Sequence, residues 1–249
     1  MKFYVAKKKN LIIFCLIGLL ITASIVGSSV IPTFSKKRLL PIYSVERNDK
    51  KIAISFDCAW GTDYTDELLS IMQDKGVRST FFTVKFWTEK HPDYVKKIFD
   101  MGHEVGTHSS THPNMSKLNK DQIIQELSNS KKAIEDITGQ TVKVFRPPFG
   151  DYNDLLIATA EELSLKTIQW SVDSLDWKDL SSTQIYQRVT SKVGDGAIIL
   201  FHNNGLNTAK ALPKIIDKLL SDGYQFVTVS QLIYFDNYYI DNNGRQHLR

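Results

Sequence analysis

The sequence predicts an α/β fold in which helices cover a parallel β-sheet. From residue 51 onward, short apolar runs alternate with amphipathic stretches, and this order favours repeated strand–helix units. Several of the runs are apolar nearly throughout, which is typical of strands buried on both faces. An open doubly wound sheet and a distorted (β/α) barrel both fit the pattern. No run is followed by a Gly-rich phosphate loop, which argues against a nucleotide-binding fold.

Seven of the apolar runs are predicted to form strands, and the stretches between them helices. The clearest helix covers residues 119–138, with Asn119 as its N-cap and Gly139 just beyond its end. A second covers 209–221, where leucines and isoleucines recur at helical spacing. The predicted strands are 51–56, 79–84, 103–107, 142–145, 166–171, 197–201 and 225–229.

The N-terminal end predicts a membrane segment. Residues 11–30 carry no formal charge and are rich in leucine and isoleucine, which is about the length that spans a hydrocarbon core. Because no clean A-x-A cleavage site follows, an uncleaved anchor is favoured over a signal peptide. We therefore expect a cytoplasmic basic tip and anchor or signal at 1–30, a linker at 31–48, one domain at 49–235 and a poorly ordered polar tail at 236–249. The domain would be extracytoplasmic, and secreted if the segment is cleaved.

The formal net charge of +4 comes from that end of the chain. Residues 1–40 hold seven basic side chains and no acidic ones, which leaves a net charge of −3 for residues 41–249. The domain therefore has no basic excess of the kind that binds nucleic acid.

Polar side chains follow the predicted strands at their carboxyl ends, where parallel α/β folds place their active sites. A carboxylate at such an end could act as a general base, and a histidine as a general acid if a carboxylate orients its ring. Two histidines four residues apart could bind one ion, for which Zn²⁺ is suited. Taken singly, each has a structural explanation as well: a turn former, a loop residue or a core histidine. The residues are Asp57, His108, His112, Arg146, Asp173, Asp176 and His202.

Five motifs in order resemble those of the polysaccharide deacetylases of the NodB-homology type, carbohydrate esterase family four. They are SFDCAWG (55–61), THSSTH (107–112), RPPFG (146–150), DSLDW (173–177) and LFH (200–202). The resemblance covers roughly residues 50–232 and is strongest to the sporulation-associated branch. It implies a distorted (β/α)7 barrel that removes N-acetyl groups from an amino-sugar polymer such as peptidoglycan or spore-wall glycan.

The resemblance also implies a role for each matching residue. Asp57 would be the base, oriented by Arg146, and His202 the acid, oriented by Asp176. His108 and His112 would bind a divalent metal, Zn²⁺ or Co²⁺. The substrate-binding residues would be Phe149, through its N–H, together with Trp177, Trp60 and Asp173.

One position departs from the family pattern. The usual first motif has two adjacent aspartates, the second of which completes the metal site, and here that position is Cys58. A thiolate can ligate Zn²⁺, but cysteine is also a small buried hydrophobe. In the second case the metal would have two protein ligands or recruit Asp63 or Asp66. The sequence therefore predicts a metal-dependent deacetylase, with a catalytically degenerate glycan-binding or morphogenetic protein as the alternative.

Overall fold

The structure is a computed structural model that describes residues 38–249. Within this range no helix is long and apolar enough to cross a membrane. The anchor predicted at residues 11–30 lies outside the described residues. Arg38–Arg249 forms one compact unit.

A parallel β-sheet forms the centre of this unit. The strands of the unit are β1 Ser44–Val45, β2 Lys51–Cys58, β3 Thr80–Thr83, β4 Glu104–Thr107, β5 Val144–Phe145, β6 Lys166–Thr167, β7 Val172–Asp173, β8 Ile198–His202, β9 Gln225–Phe226, β10 Tyr238–Ile240 and β11 Arg245–Leu248. In the central sheet the strand order is β6-β5-β4-β3-β2-β8-β7, and β9 also pairs with β2. The sheet curls in the manner of the NodB-type barrel, which fits the fold that the resemblance implies.

Helices connect and cover the strands. The long helix begins after Asn119, whose side chain accepts the N–H of Gln122 in a capping box, and ends at Gly139 in the left-handed region. Both predicted helix boundaries there are confirmed. The helices are α1 Thr65–Asp74, α2 Lys85–Lys90, α3 Pro92–Asp100, α4 Lys120–Thr138, α5 Asp154–Glu162, α6 Ser182–Thr190, α7 Thr208–Ser221 and α8 Val229–Leu232.

Strand β2 lies between β3 and β8 and has two chemically different faces. Its even-numbered residues Ile52–Cys58 belong to the main hydrophobic cluster, together with residues of the helices. Its odd-numbered residues point to the other face, where Ala53 is followed by the polar Ser55 and Asp57. This alternation follows from the two-residue period of a strand, and it directs Asp57 and Cys58 to opposite sides of the sheet.

Five of the seven predicted strands are shorter in the structure, and the runs 166–171 and 225–229 lose the most residues. The run 166–171 is divided because its backbone changes partner. Thr167 and Gln169 form backbone hydrogen bonds with Ile42, whereas the N–H of Ser171 donates to Ile198 and the chain continues into β7. The run 225–229 stops early because Thr228 caps α8, its hydroxyl accepting the N–H of Gln231. A change of pairing partner limits the first strand and a helix cap limits the second, so the local β-propensity does not determine the length of either strand.

The two ends of the described chain meet in a small second sheet, which corrects the predicted linker and tail. Strand β1 pairs in parallel with β11, and β11 pairs with β10. Residues 236–249 therefore form an ordered hairpin, and Val45, inside the predicted linker, is fully buried. Gly196, at φ +75°, permits the close approach of β1, since a Cβ there would lie 1.7 Å from the Val45 carbonyl oxygen.

Candidate active site

A cavity of about 700 Å³ opens at the carboxyl ends of the central strands. It brings together every predicted site residue except Arg146 and Cys58. Its lining consists of Asp57, Ala59, Trp60, His108, His112, Phe149, Trp170, Asp173, Asp176, Trp177, Asp179, Leu200, His202, Asn203, Asn204, Gly205 and Leu206.

Asp57 and Arg146 form a buried ion pair at the base of the cavity. Arg146 Nη1 donates to Asp57 Oδ1 at 2.8 Å, and Nη2 donates to Ser55 Oγ and to the Gln169 carbonyl. The Phe82 ring covers the guanidinium at 4.2 Å. Burial alone would raise the pKa of Asp57, but the charge of Arg146 and nearby imidazoles hold it below its ordinary value of 3.8. Asp57 is therefore ionised at neutral pH.

His202 and Asp176 form a second pair beside Asp57, at the end of the neighbouring strand β8. Asp176 Oδ1 lies 2.8 Å from His202 Nδ1, while Oδ2 accepts the His202 backbone N–H and the Thr208 hydroxyl. Burial alone would lower the pKa of His202, but the hydrogen bond and charge of Asp176 raise it above the ordinary value of 6.5. Gly205 allows Thr208 and Asp176 to approach, because a Cβ there would lie 2.2 Å from Thr208 Oγ1.

His108 and His112 lie together beside Asp57. Their ring centroids are 5.0 Å apart, and His108 Nε2 is 3.6 Å from Asp57 Oδ2. His108 Nδ1 lies 2.7 Å from the Arg146 carbonyl oxygen, which orients the ring. Burial lowers the pKa of His108, and burial with the neighbouring His108 lowers that of His112 to about 4. Both rings are therefore neutral at pH 7, the form that ligates metals.

Cys58 does not join the two histidines. Its side chain is fully buried in the main hydrophobic cluster, on the opposite face of β2 from Asp57. Burial raises the pKa of the thiol well above its usual value, and the charge of Asp57 adds to this. Of the two interpretations of Cys58, the structure supports the small buried hydrophobe. The alternative ligands Asp63 and Asp66 do not line the cavity either, and Asp66 pairs with Lys97 on the surface.

The side chains do not fit a complete metal centre. Within residues 38–249, no three His, Cys, Asp or Glu side chains are placed so that they could hold one ion. The two neutral imidazoles supply two donors of the kind that Zn²⁺ accepts, whereas its sites have three or four protein ligands. We therefore derive no catalytic step through a metal.

Aromatic rings form the rim of the cavity. Trp60, Phe149 and Trp177 are more than half exposed, and the first two pack edge-on against His112. Phe149 adopts φ +59° in the turn Pro148–Gly150, and its N–H donates to no group among residues 38–249. Exposed rings of this kind offer flat apolar faces on which a sugar can stack.

Several buried residues that support the predicted ones were not predicted from the sequence. Ser55, Gln169 and Thr208 are fully or almost fully buried and hydrogen-bond to Arg146 or Asp176. Asp179 lines the cavity beside Trp177 and was also missed. Ser55 stands two residues before Asp57 on the same strand face, and this spacing alone could have identified it.

Comparisons with known proteins match this chain to one family. The family model for polysaccharide deacetylase matches residues 44–168. The uncharacterized protein YlxY of Bacillus subtilis is 35% identical over 78% of this chain and 60% of its own length. The peptidoglycan-N-acetylglucosamine deacetylase PgdA of Listeria monocytogenes is 34% identical over 84% of this chain and 44% of its own. The chain thus spans about half the length of these relatives.

Solved structures of two relatives have the same fold. BA3943 of Bacillus anthracis, described as a CE4 family pseudoenzyme, is 35% identical with a TM-score of 0.75, over 84% of this chain and 73% of the other. A mutant of it is described as having restored enzymatic activity. The Bc1960 peptidoglycan N-acetylglucosamine deacetylase is 31% identical with a TM-score of 0.75, over 78% of this chain and 92% of the other.

Proposed function

The chain belongs to the polysaccharide deacetylase family, and on this premise we propose that it hydrolyses N-acetyl groups of a cell-wall or spore-wall glycan. The observation that carries the proposal is the register of β2 and β8, in which Asp57 and His202 are direct partners. Neighbouring parallel strands lie about 4.8 Å apart. A base and an acid therefore stand side by side on one wall, each held by its own partner, Arg146 or Asp176.

In the proposed reaction, Asp57 accepts a proton from a water molecule as that water attacks the acetyl carbonyl carbon. The N–H of Phe149 donates to the oxyanion that forms on the carbonyl oxygen. His202, whose Nδ1–H is held by Asp176, donates its Nε2 proton to the leaving amine. The carbon–nitrogen bond then breaks and releases acetate and the free amino sugar. Trp60 and Trp177 stack on the sugar, and Asp173 borders its binding site.

The test is acetate release by the full-length protein from N-acetylglucosamine oligomers and from peptidoglycan, with and without added Zn²⁺ or Co²⁺. Asp57→Asn and His202→Ala should each lower the rate by about a hundredfold or more. Asp74→Asn removes an exposed carboxylate at the end of α1 and should have no effect. Undiminished acetate release by Asp57→Asn would contradict the assigned roles.

A second function is favoured by one observation, the burial of Cys58 away from His108 and His112. A carboxylate whose pKa is held below 3.8 is ionised but accepts protons weakly, so without a complete metal site the turnover would be low. The domain would then bind glycan without hydrolysing it, as a morphogenetic protein. This alternative predicts oligosaccharide binding with no acetate release and no stoichiometric metal.

We also propose that the domain acts outside the cytoplasm, at the membrane surface. The support is the uncharged run at residues 11–30, which is long enough to span a bilayer. Protease added to intact protoplasts should then degrade the domain. Protection from the protease would contradict this location.

The pair of His202 and Asp176 predicts a pH dependence. His202 must be protonated to act as an acid, and its pKa lies above 6.5 because of Asp176. Activity should therefore fall as the pH rises through that raised pKa. Asp176→Asn removes the negative charge and should lower the pKa of His202, measured by NMR titration, by about 1–3 units. The pH above which activity falls should decrease by the same amount. An unchanged NMR titration would show that Asp176 does not control the acid.

A further inference from the structure

Gln169 lies between two parts of the candidate active site that the proposed reaction needs in one geometry. Its side chain is almost fully buried, and it stands outside the five motifs of the family. The amide Nε2 donates to the carbonyl oxygen of Gly150 at 3.0 Å, and the backbone carbonyl oxygen of Gln169 accepts Arg146 Nη2 at 3.2 Å. One residue therefore contacts both the turn that carries Phe149 and the arginine that orients Asp57.

The turn that carries Phe149 needs such a contact. Phe149 lies in the left-handed region at φ +59°, which is unfavourable for a residue with a side chain. Two backbone hydrogen bonds close the turn, and neither of them uses the Gly150 carbonyl. The amide of Gln169 binds that carbonyl, which limits the rotation of the turn and so fixes the direction of the Phe149 N–H.

The contact between the amide and the turn is close. A Cβ at Gly150 would lie 3.3 Å from Gln169 Oε1 and 3.1 Å from the Trp170 ring, so both side chains pack directly against the glycine. The nitrogen end of the amide must face Gly150, because a carbonyl oxygen accepts and does not donate. A methionine has a similar length and could fill this space, but it could not donate the hydrogen bond.

The backbone of Gln169 is held independently of its side chain. Its N–H donates to the carbonyl oxygen of Ile42 at 2.8 Å, and Ile42 is buried. A substitution of the side chain therefore removes the contact with Gly150 and retains the backbone contact with Arg146. The two roles of the residue can be tested separately.

We propose that Gln169 is a positioning residue, whose side-chain amide holds the turn so that the Phe149 N–H faces the reacting carbonyl. Its backbone fixes Arg146, so the oxyanion donor and the base keep one relative position. A misplacement of about 1 Å in such an arrangement costs about a hundredfold in rate. This proposal rests on the proposed deacetylation. It adds a residue that does not line the cavity and acts through the turn.

The kinetic experiment compares Gln169→Met with Gln246→Met in the full-length protein. Gln246 is a matched control because it is fully buried in the small second sheet and its amide also donates to a backbone carbonyl, that of Tyr234. In acetate release from N-acetylglucosamine oligomers, Gln169→Met should lower kcat by about ten- to a hundredfold. KM should change by less than about twofold, because the stacking residues are retained. Gln246→Met should alter neither constant.

An NMR experiment reports on the turn without turnover. Pro148–Phe149 is the only Pro–Phe pair in the sequence, so ¹³C-carbonyl proline combined with ¹⁵N-phenylalanine isolates the Phe149 amide signal. This signal should shift in Gln169→Met and stay in place in Gln246→Met. Gln169→Glu keeps the size of the side chain, and its carboxyl group can donate to Gly150 only when it is protonated. In this variant the Phe149 signal should therefore approach its wild-type position as the pH falls.

An unshifted Phe149 signal in Gln169→Met would overturn the proposal, as would an effect on KM alone or an equal loss of kcat in Gln246→Met. If Gln169→Met does not fold, the pH response of Gln169→Glu gives the same decision. If the wild type releases no acetate, the proposed function fails, and the Phe149 signal still decides whether Gln169 holds the turn.

Discussion

Replacing Arg146 with methionine should lower the free energy of unfolding by about 3–5 kcal/mol, the usual cost of removing one partner of a buried ion pair. The guanidinium is completely buried and donates to Asp57, Ser55 and Gln169. Without it, Asp57 stays in the same low-dielectric surroundings with a negative charge, and of the groups that lower its pKa only the imidazoles of His108 and His202 are left. The loss therefore comes mainly from the carboxylate that is left behind.

Urea denaturation of wild type and Arg146→Met measures this loss. Lys132→Met is the matched control, since Lys132 pairs with Asp136 on the helix surface, and it should cost less than about 1 kcal/mol. Asp57 has a lowered pKa in the folded wild type, so its stabilising effect is present above pH 3.8 and lost as the pH falls below it. The difference between wild type and Arg146→Met should accordingly narrow in acid. A difference that does not change with pH would show that lost packing, and not the charge on Asp57, is the cause.

Replacing Cys58 with aspartate should lower the free energy of unfolding of the metal-free protein by about 3 kcal/mol or more. The new carboxylate would enter the main hydrophobic cluster, in which Cys58 is fully buried, and the charge that acts on the thiol there is the negative charge of Asp57. Cys58→Ala changes the volume but adds no charge, and it should cost about 1 kcal/mol. Thermal denaturation of the two variants separates the effect of charge from that of size.

The Cys58→Asp variant also distinguishes the proposed deacetylase from the glycan-binding protein that does not hydrolyse its ligand. If the aspartate turns out of the cluster toward His108 and His112, added Zn²⁺ should recover part of the lost thermal stability, and acetate release should rise above the wild-type level. That result would favour the non-hydrolytic alternative for the natural chain. If acetate release is already appreciable in the wild type and falls in Cys58→Asp, the deacetylase proposal is supported and Cys58 is needed only for packing.

The sequence predicted the strands and the site residues at their ends because both follow from local patterns. Asp57 and His202 each end an apolar run, and parallel pairing brings such ends to one edge of the sheet. The orientation of Cys58 could also be predicted from the sequence. Ile52, Ile54 and Phe56 form the apolar face of β2, and Cys58 continues their two-residue period. Side chains of adjacent residues in a regular strand point to opposite faces, so this pattern places Cys58 opposite Asp57.

The features that were not predicted from the sequence depend on partners far along the chain. Strand β11 is polar and has no apolar alternation, and it is ordered because β1, at the other end of the described chain, provides its hydrogen-bonding edge. Thr208 looks like an ordinary helix-start residue until Asp176 is placed beside it. Neither contact produces a periodicity or a composition in the sequence from which it could be predicted.

The pairing of β1 with β11 has a consequence for the order of folding. Ser44 and Arg245 lie near opposite ends of the described chain and are register partners, so their contact requires the closure of almost the whole chain into one loop. Such closure has a large entropic cost that is recovered only after the intervening strands are in place. In pulse-labelled refolding, the amides of β10 and β11 should therefore gain protection after those of β2 and β8. During synthesis, β1 leaves the ribosome long before β11, so the edge of β1 that pairs with β11 stays open to other partners, such as chaperones, until that strand follows.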